Sequence, residues 1–351
     1  MAKIRLNSMK RKINSLQGLR VMAMIIIFLY HAELFPFGHF AVTFFFILSG
    51  FVAYYSNSSS EKLSISNSMK YCINRIKKFY LVYLLTLLLG LIVNSSIFSD
   101  YEFNKKILII LSNLTLTQSF IPSPDYYFSL NGVGWYLSSL GFCYLIFNLY
   151  KRLLNNIKMQ SIILVIILWS IQLIISGLSV NLSYDETQWI LYINPVMRSI
   201  NFFMGMIFAK IFIEKESVGV NKNNSYTKYE LMLLALFAII YICSIFIPRA
   251  FIWSVYYAPI IMLIIYTFSF ENGKISRFLR KNTFIKLAGI SFEFYMIHQL
   301  IINICWRLIG KNKLIIASLS LGISFTLAML LNSINTKVWK LNKMLNDKIN
   351  Y

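Results

Sequence analysis

The chain has 351 residues, of which 58% are hydrophobic and 13% charged, with a formal net charge of +21. A soluble domain of this length carries charge on about a quarter of its residues. A mean hydropathy of +0.63 therefore puts most of this chain in lipid or in a membrane-protein interior. The net charge would suit a nucleic-acid binder, but its distribution argues against one. Lys and Arg gather in short segments between long apolar runs, as they do where charge sets membrane orientation.

In chain order, a basic amino terminus (Lys3, Arg5, Lys10, Arg11, Lys12, Arg20) runs into an apolar stretch with no small-residue cleavage site, which reads as a retained signal-anchor helix. A helix needs about 20 apolar residues to cross the hydrocarbon. That length predicts spans near 20–36, 40–55, 79–98, 133–150, 160–178, 197–213, 230–247, 252–270, 286–306 and 314–335. The stretch 107–121 is shorter and carries Ser, Asn, Thr and Gln, so it reads as re-entrant or interfacial rather than as an eleventh span. With a cytoplasmic amino terminus, ten spans leave only Lys105, Lys106, Arg198, Arg249, Arg307, Lys311 and Lys313 off the cytoplasmic side. An eleventh span would turn later basic loops outward. The expectation is an all-α, polytopic single domain over 1–351 with about ten transmembrane helices, both termini cytoplasmic, and no appended domain. Cys72, Cys143, Cys243 and Cys305 lack CxxC spacing, so neither a disulfide framework nor a metal site is expected. The sequence also has no GxSxG, Walker loop or HExxH, and it sets no oligomeric state.

Ionisable side chains inside spans are costly and so point to function. Arg20 and His31 are eleven residues apart, which is three turns plus about 20°, so they share a helix face with about 16 Å of rise between them. With Arg20 at the cytoplasmic edge, His31 falls about halfway through a core about 30 Å thick. A cation at that mouth suits the phosphates of coenzyme A, and an imidazole deeper in suits deprotonation of a hydroxyl that attacks a thioester. The competing reading is a packing histidine with Arg20 as a positive-inside anchor. Glu33 falls on another face, at the outer interface.

His298 lies twelve residues after Lys286, about 18 Å along the helix, with Tyr295 and Ser291 on its face and Glu293 on another. Alone it reads as a satisfied structural histidine. Ser49-Gly50 reads first as close helix packing, with contact to a substrate as the alternative. Arg75, Lys77 and Lys78 precede the third span as a topology anchor or a phosphate site. Trp135 and Tyr136 fall where an outer aromatic belt lies. Asp125, in an outer or re-entrant PSPD segment, could meet a glycan hydroxyl. Arg198 and Arg249 are expected to face outward, and His39 to be solvated in the first outer loop.

Five blocks together resemble the membrane acyltransferase-3 family. SLQGLRVMAMIIIFLYH carries an Arg and a His with ten residues between them, Arg20 and His31. FFFILSGFV is similar to the family's FF-x-LSGF, CINRIKKFY to R-x-x-R-x-x-P, GWYLSSLGFCYL to W-S-L-x-x-E-x-x-F-Y, and ISFEFYMIH to Y-L-x-H. The resemblance implies a multi-pass O-acetyltransferase of the inner (cytoplasmic) membrane. Its donor would be acetyl-coenzyme A, used in passing and not a resident cofactor. Its acceptor would be a hydroxyl of a capsule, O-antigen or other envelope glycan, polymeric or lipid-linked. It further implies His31 as base or transient acyl carrier together with Arg20, and His298 and Tyr295 lining the site. Arg20, Arg75 and Lys78 would hold the donor, and Ser49, Trp135 and Asp125 would meet the acceptor. The sequence departs from the pattern in three places: Lys78 replaces the second arginine, Leu81 replaces the proline, and Gly141 stands in the stretch where the family carries a glutamate. Glu293 or Glu33 are the carboxylates that could take that role. A glycan transporter or flippase is the main rival, but it usually shows an internal repeat, and none is found. A non-enzymatic envelope-assembly subunit is the other.

Overall fold

The computed structural model describes residues 11–57, 64–157, 159–218, 226–310 and 312–349. Lys3, Arg5 and Lys10 of the basic run, and Lys311, lie outside these. Among the described residues the regular structure is helical, without a strand. The main helices are α1 (Ser15–His31), α2 (His39–Ser56), α3 (Ile65–Val93), α4 (Phe103–Leu114), α5 (Trp135–Asn156) and α6 (Ser161–Leu178). They continue with α7 (Pro195–Val218), α8 (Thr227–Cys243), α9 (Ala258–Ser269), α10 (Asn282–Gly289), α11 (Ser291–Ile309) and α12 (Lys313–Ile349). Among the described residues, seven helical stretches are long and apolar enough to cross a membrane, and the pair α10–α11, bent by 60°, makes an eighth. The helices α1 and α9 are apolar but shorter. Only such internally hydrogen-bonded elements can sit in lipid, and the chain is a multi-pass membrane protein.

Two boundaries differ from expectation in ways that matter for function. The first helix stops at His31 instead of running to residue 36. Phe35 precedes Pro36, a position disfavoured for helix, and Glu33 and Phe37 take left-handed φ values of 57° and 56°. The apolar run continues because Phe35 packs in the turn, stacked 5.1 Å from Tyr241. His31 is thus the last residue of this helix. The third helix starts at Ile65, so Arg75, Lys77 and Lys78 lie within it and not before it. Residues 107–121 form the end of α4 and a 3-10 turn at Gln118–Phe120. There Ile109, Ser112 and Asn113 face the protein while Leu108, Leu111 and Leu114 are exposed.

The helices form an inner and an outer set. The apolar stretches of α2 and of the helical runs 132–156 and 184–217 are 72% buried within the protein, against 17% for α6 and 28% for α3 and α12. The exposed Ile and Leu side chains of the outer set therefore need lipid as their solvent. At the centre α2 and α7 meet through glycines. A Cβ at Gly50 would lie 1.8 Å from the Phe202 carbonyl oxygen, and one at Gly205 2.0 Å from that of Ile47. Small residues allow this backbone approach, so the packing reading holds for Gly50. The fully buried Glu230 of α8 accepts from the backbone N–H groups of Ile275 and Ser276 at 3.0 and 3.3 Å, where the short helix Lys274–Leu279 begins. A carboxylate there satisfies amides that otherwise have no partner.

Candidate active site

The carboxyl end of α1, the start of α2 and the long segment between α3 and α5 enclose a cavity of about 440 Å³. Tyr30 and His31 line it from α1, His39 from α2, Asn94, Tyr101 and Asp125 from the connecting segment, and Trp135 from α5. Gln188 and Tyr192 close one side, and Tyr295, Gln299 and Asn303 of α11 another. A more open cavity of about 370 Å³ shares His31, Gln299 and Asn303 and is edged by Glu33 and Arg307. Aromatic faces alternate with amides and imidazoles, a lining suited to a polyhydroxylated ligand with apolar ring faces.

His31, which lines this cavity, meets His298, which lies behind the wall and does not line it. The rings of His31 and His298 lie 5.2 Å apart. His298 is 1% exposed and held between Phe294, parallel at 5.9 Å, and Phe28 at 6.4 Å. Its Nδ1 lies 2.6 Å from the Tyr295 carbonyl oxygen. A carbonyl only accepts, so Nδ1 carries the proton and Nε2 of the neutral ring keeps its lone pair. That Nε2 is buried with no partner among the described residues, at a cost of about 1–3 kcal/mol for an unmade bond. His298 is therefore half satisfied, with its free nitrogen in the tautomer a general base needs. The Tyr295 hydroxyl is committed to the Val133 carbonyl at 3.2 Å.

The sequence-selected residues divide between the two ends of the bundle. Trp135 and Asp125 line the cavity with His31. Trp135 is not in an outer belt: it is 3% exposed and Tyr136 9%, both packed on Phe46, because α5 enters the interior here. Asp125 sits at the rim, accepting from Lys105 at 2.6 Å and the Tyr101 hydroxyl at 3.0 Å. Arg20, Ser49 and Arg75 gather instead toward the amino end of α1. The charges of Arg20 and Arg75 act on Tyr144, that of Arg20 also on Tyr136, and the Ser49 hydroxyl faces both phenols. Arg75 also donates to the Ser56 hydroxyl at 3.2 Å and lies over the Tyr71 ring. The ring of Tyr136 is 5.4 Å from that of Tyr295, which is 5.7 Å from that of His298, so aromatic residues run from this group toward His298. Lys78 is exposed and apart from this line, and its carbonyl accepts from Asn335 at 3.0 Å.

Two placements correct the sequence reading. His39 is half-buried, not solvated, because the turn after Pro36 folds it back: its Nε2 is 2.9 Å from the Tyr30 hydroxyl. Arg198 does not face outward. It is fully buried, donating to the Tyr192 and Trp253 carbonyls at 2.6 and 2.9 Å and to Thr43 at 3.2 Å, with its cation over the Tyr192 ring. Among the described residues no carboxylate pairs with it; neutral acceptors and aromatic faces hold the charge instead. Arg249 lies over the rings of Tyr184 and Trp253. Neither candidate carboxylate hydrogen-bonds a histidine among the described residues. Glu33 is exposed and paired with Lys313 at 2.8 Å, and Glu293 is 4% exposed near Asn335, a turn and more before His298. At Gly141 the carbonyl accepts from the Cys72 thiol at 3.3 Å and an added Cβ would meet Ile76 at 3.6 Å, so that stretch makes apolar contact with α3.

Tyr30, His39, Tyr192, Gln299 and Asn303 were not selected from the sequence. Tyr30 adjoins His31, and Gln299 and Asn303 are four apart just after His298, which were usable signals. For Tyr192 nothing local pointed inward.

The family model described as an acyltransferase domain matches residues 13–334, and thus every element of the site. A curated protein described as acyltransferase MdmB, from Streptomyces mycarofaciens, is 25% identical over 290 residues, covering 78% of this chain and 70% of its own. No solved structure matches.

Proposed function

Because the chain belongs to the membrane acyltransferase-3 family, we propose that it transfers an acetyl group from cytoplasmic acetyl-coenzyme A to a hydroxyl of an envelope polysaccharide or its lipid-linked precursor. The observation that carries the reading is the meeting of His31, on the wall of an aromatic, amide-lined cavity, with the buried His298 behind it. The proposed setting is the inner membrane, with ten spans and both termini cytoplasmic. In that orientation Arg20 and Arg75, with Lys78 nearby on α3, lie at the cytoplasmic end and take the donor's phosphates. The polar line past Ser49, Tyr144 and Tyr136 leads the pantetheine arm inward. The acceptor enters the cavity from the opposite end, against Trp135 and the Asp125 rim, with α4 as an interfacial helix beside it.

His31 takes the proton of the acceptor hydroxyl while its oxygen attacks the thioester carbonyl. The C–O bond forms and the C–S bond breaks. The leaving thiolate then recovers the proton from the imidazolium, so the site ends as it began. Microscopically this needs one base, and His298 supplies a fixed lone pair beside it. Transfer through an acyl-His31 intermediate uses the same residues in two steps.

The test compares wild type with His31→Ala at matched expression, scoring O-acetyl groups on purified surface polysaccharide by proton NMR. Loss of an acetyl signal with the polysaccharide otherwise intact is expected. An unchanged acetyl pattern refutes the proposal.

A further inference from the structure

Resting on that reading, we infer that Tyr30 and His39 form a second hydroxyl-binding subsite beside the reacting histidine, so that the acceptor is a vicinal diol and this pair selects which hydroxyl is acylated. Both residues line the cavity; Tyr30 sits in the first block but is neither its Arg nor its His, and His39 lies in none. The Tyr30 hydroxyl and His39 Nε2 are 2.9 Å apart, and His39 Nδ1 is buried with no partner among the described residues. Whichever of the two donates, the pair is left with both a donor and an acceptor unfilled. If Tyr30 donates, its oxygen keeps lone pairs and Nδ1 carries a proton. If Nε2 donates, the phenol proton is free and Nδ1 is an acceptor. A sugar hydroxyl, itself both donor and acceptor, is the complement of such a pair.

The spacing suits a hydroxyl on the neighbouring carbon. The Tyr30 ring lies 5.2 Å from that of His31 and 4.8 Å from that of His39. Hydrogen bonds to hydroxyls span about 2.8 Å, so two anchors this close suit hydroxyls on adjoining carbons. The local fold is built for it. A Cβ at Gly38 would lie 2.4 Å from that of Tyr30, so glycine there lets the turn return His39 onto Tyr30. Tyr192 and Trp253, with ring centres 5.3 and 5.9 Å from that of His39, confine the imidazole from the other side.

The experiment expresses wild type, Tyr30→Phe, His39→Gln and His31→Ala at matched levels and maps acetyl positions on purified polysaccharide by proton NMR, harvested at mildly acidic pH so that acyl groups stay in place. Losing one hydroxyl contact weakens positional preference about tenfold. Tyr30→Phe and His39→Gln are expected to move acetyl onto a neighbouring hydroxyl while His31→Ala removes it. Acetyl-coenzyme A binding to the purified variants, read alongside, is expected to stay within about twofold of wild type, as one lost acceptor contact leaves the donor path intact. Wild-type position and amount in both subsite variants, with acetyl absent in His31→Ala, overturns the subsite alone. Loss of acetylation with donor binding intact places the defect in acceptor binding and supports it, whereas loss of both overturns it. Acetyl retained in His31→Ala overturns the enzymatic reading beneath it.

Discussion

His31 and His298 form one proton-handling unit, and the consequence is measurable as non-additivity. The perturbations are His31→Gln, His298→Gln and the double variant. Removing a general base costs about 10²–10⁴ in rate, or about 3–5 kcal/mol at 1.4 kcal/mol per tenfold. His298→Gln removes the Nε2 lone pair that the 2.6 Å bond from Nδ1 to the Tyr295 carbonyl leaves free, in a ring 5.2 Å from that of His31, and it is expected to fall in the same range. Independent sites would multiply these losses to about 10⁴–10⁸, whereas groups acting as a unit leave the double variant no worse than the more damaged single one. The assay is transfer of labelled acetyl from acetyl-coenzyme A by membranes with matched protein, normalised to immunoblot. Glutamine is close to histidine in size and fills the same space between Phe294 and Phe28, so insertion and expression are expected to hold. Multiplicative losses, or a His298→Gln variant at wild-type rate, would refute the coupling and return His298 to a packing role.

Gly50→Ala forces a methyl against the Phe202 carbonyl across the α2–α7 contact, where backbone cannot yield as a flexible side chain does. The expected loss is about 1–3 kcal/mol, read as a lowered melting temperature in detergent, and an unchanged melt would show that the helices can part freely. At the rim, the hydrogen bond from Lys105 holds the Asp125 carboxyl below its ordinary range. A depressed carboxyl contributes its stabilisation above the usual aspartate value of about 3.9 and loses it as pH falls through the lower folded value. The clasp is therefore closed at neutral pH, and Asp125→Asn is expected to weaken acceptor use no more than a few-fold, since an exposed pair contributes little. A loss above a hundredfold at neutral pH would make Asp125 a direct acceptor ligand.

What the sequence determined is the class of the fold, an all-helical multi-pass membrane protein. Apolar runs near the length of the bilayer core leave no alternative to helix, since lipid offers backbone groups no partner. The helix period put Arg20 and His31 on one face. Small residues at Gly50 marked a close crossing, and the glycine contacts bear that out. Local chemistry also held the information that α1 ends at His31, in Phe35-Pro36, although hydropathy ran past it.

Only the tertiary structure decided what each polar side chain meets. Hydropathy assigns Trp135, Tyr136 and Arg198 to an outer surface from their place along a span. Burial depends instead on which neighbour covers them, and α2, α7 and the 184–194 segment do. His39 looked solvated in a short loop, yet the turn through Gly38 sets it on Tyr30. His31 and His298 are far apart in sequence, and their meeting depends on α1 and α11 packing side by side. The tautomer that leaves His298 Nε2 free follows from one backbone carbonyl that no residue pattern specifies.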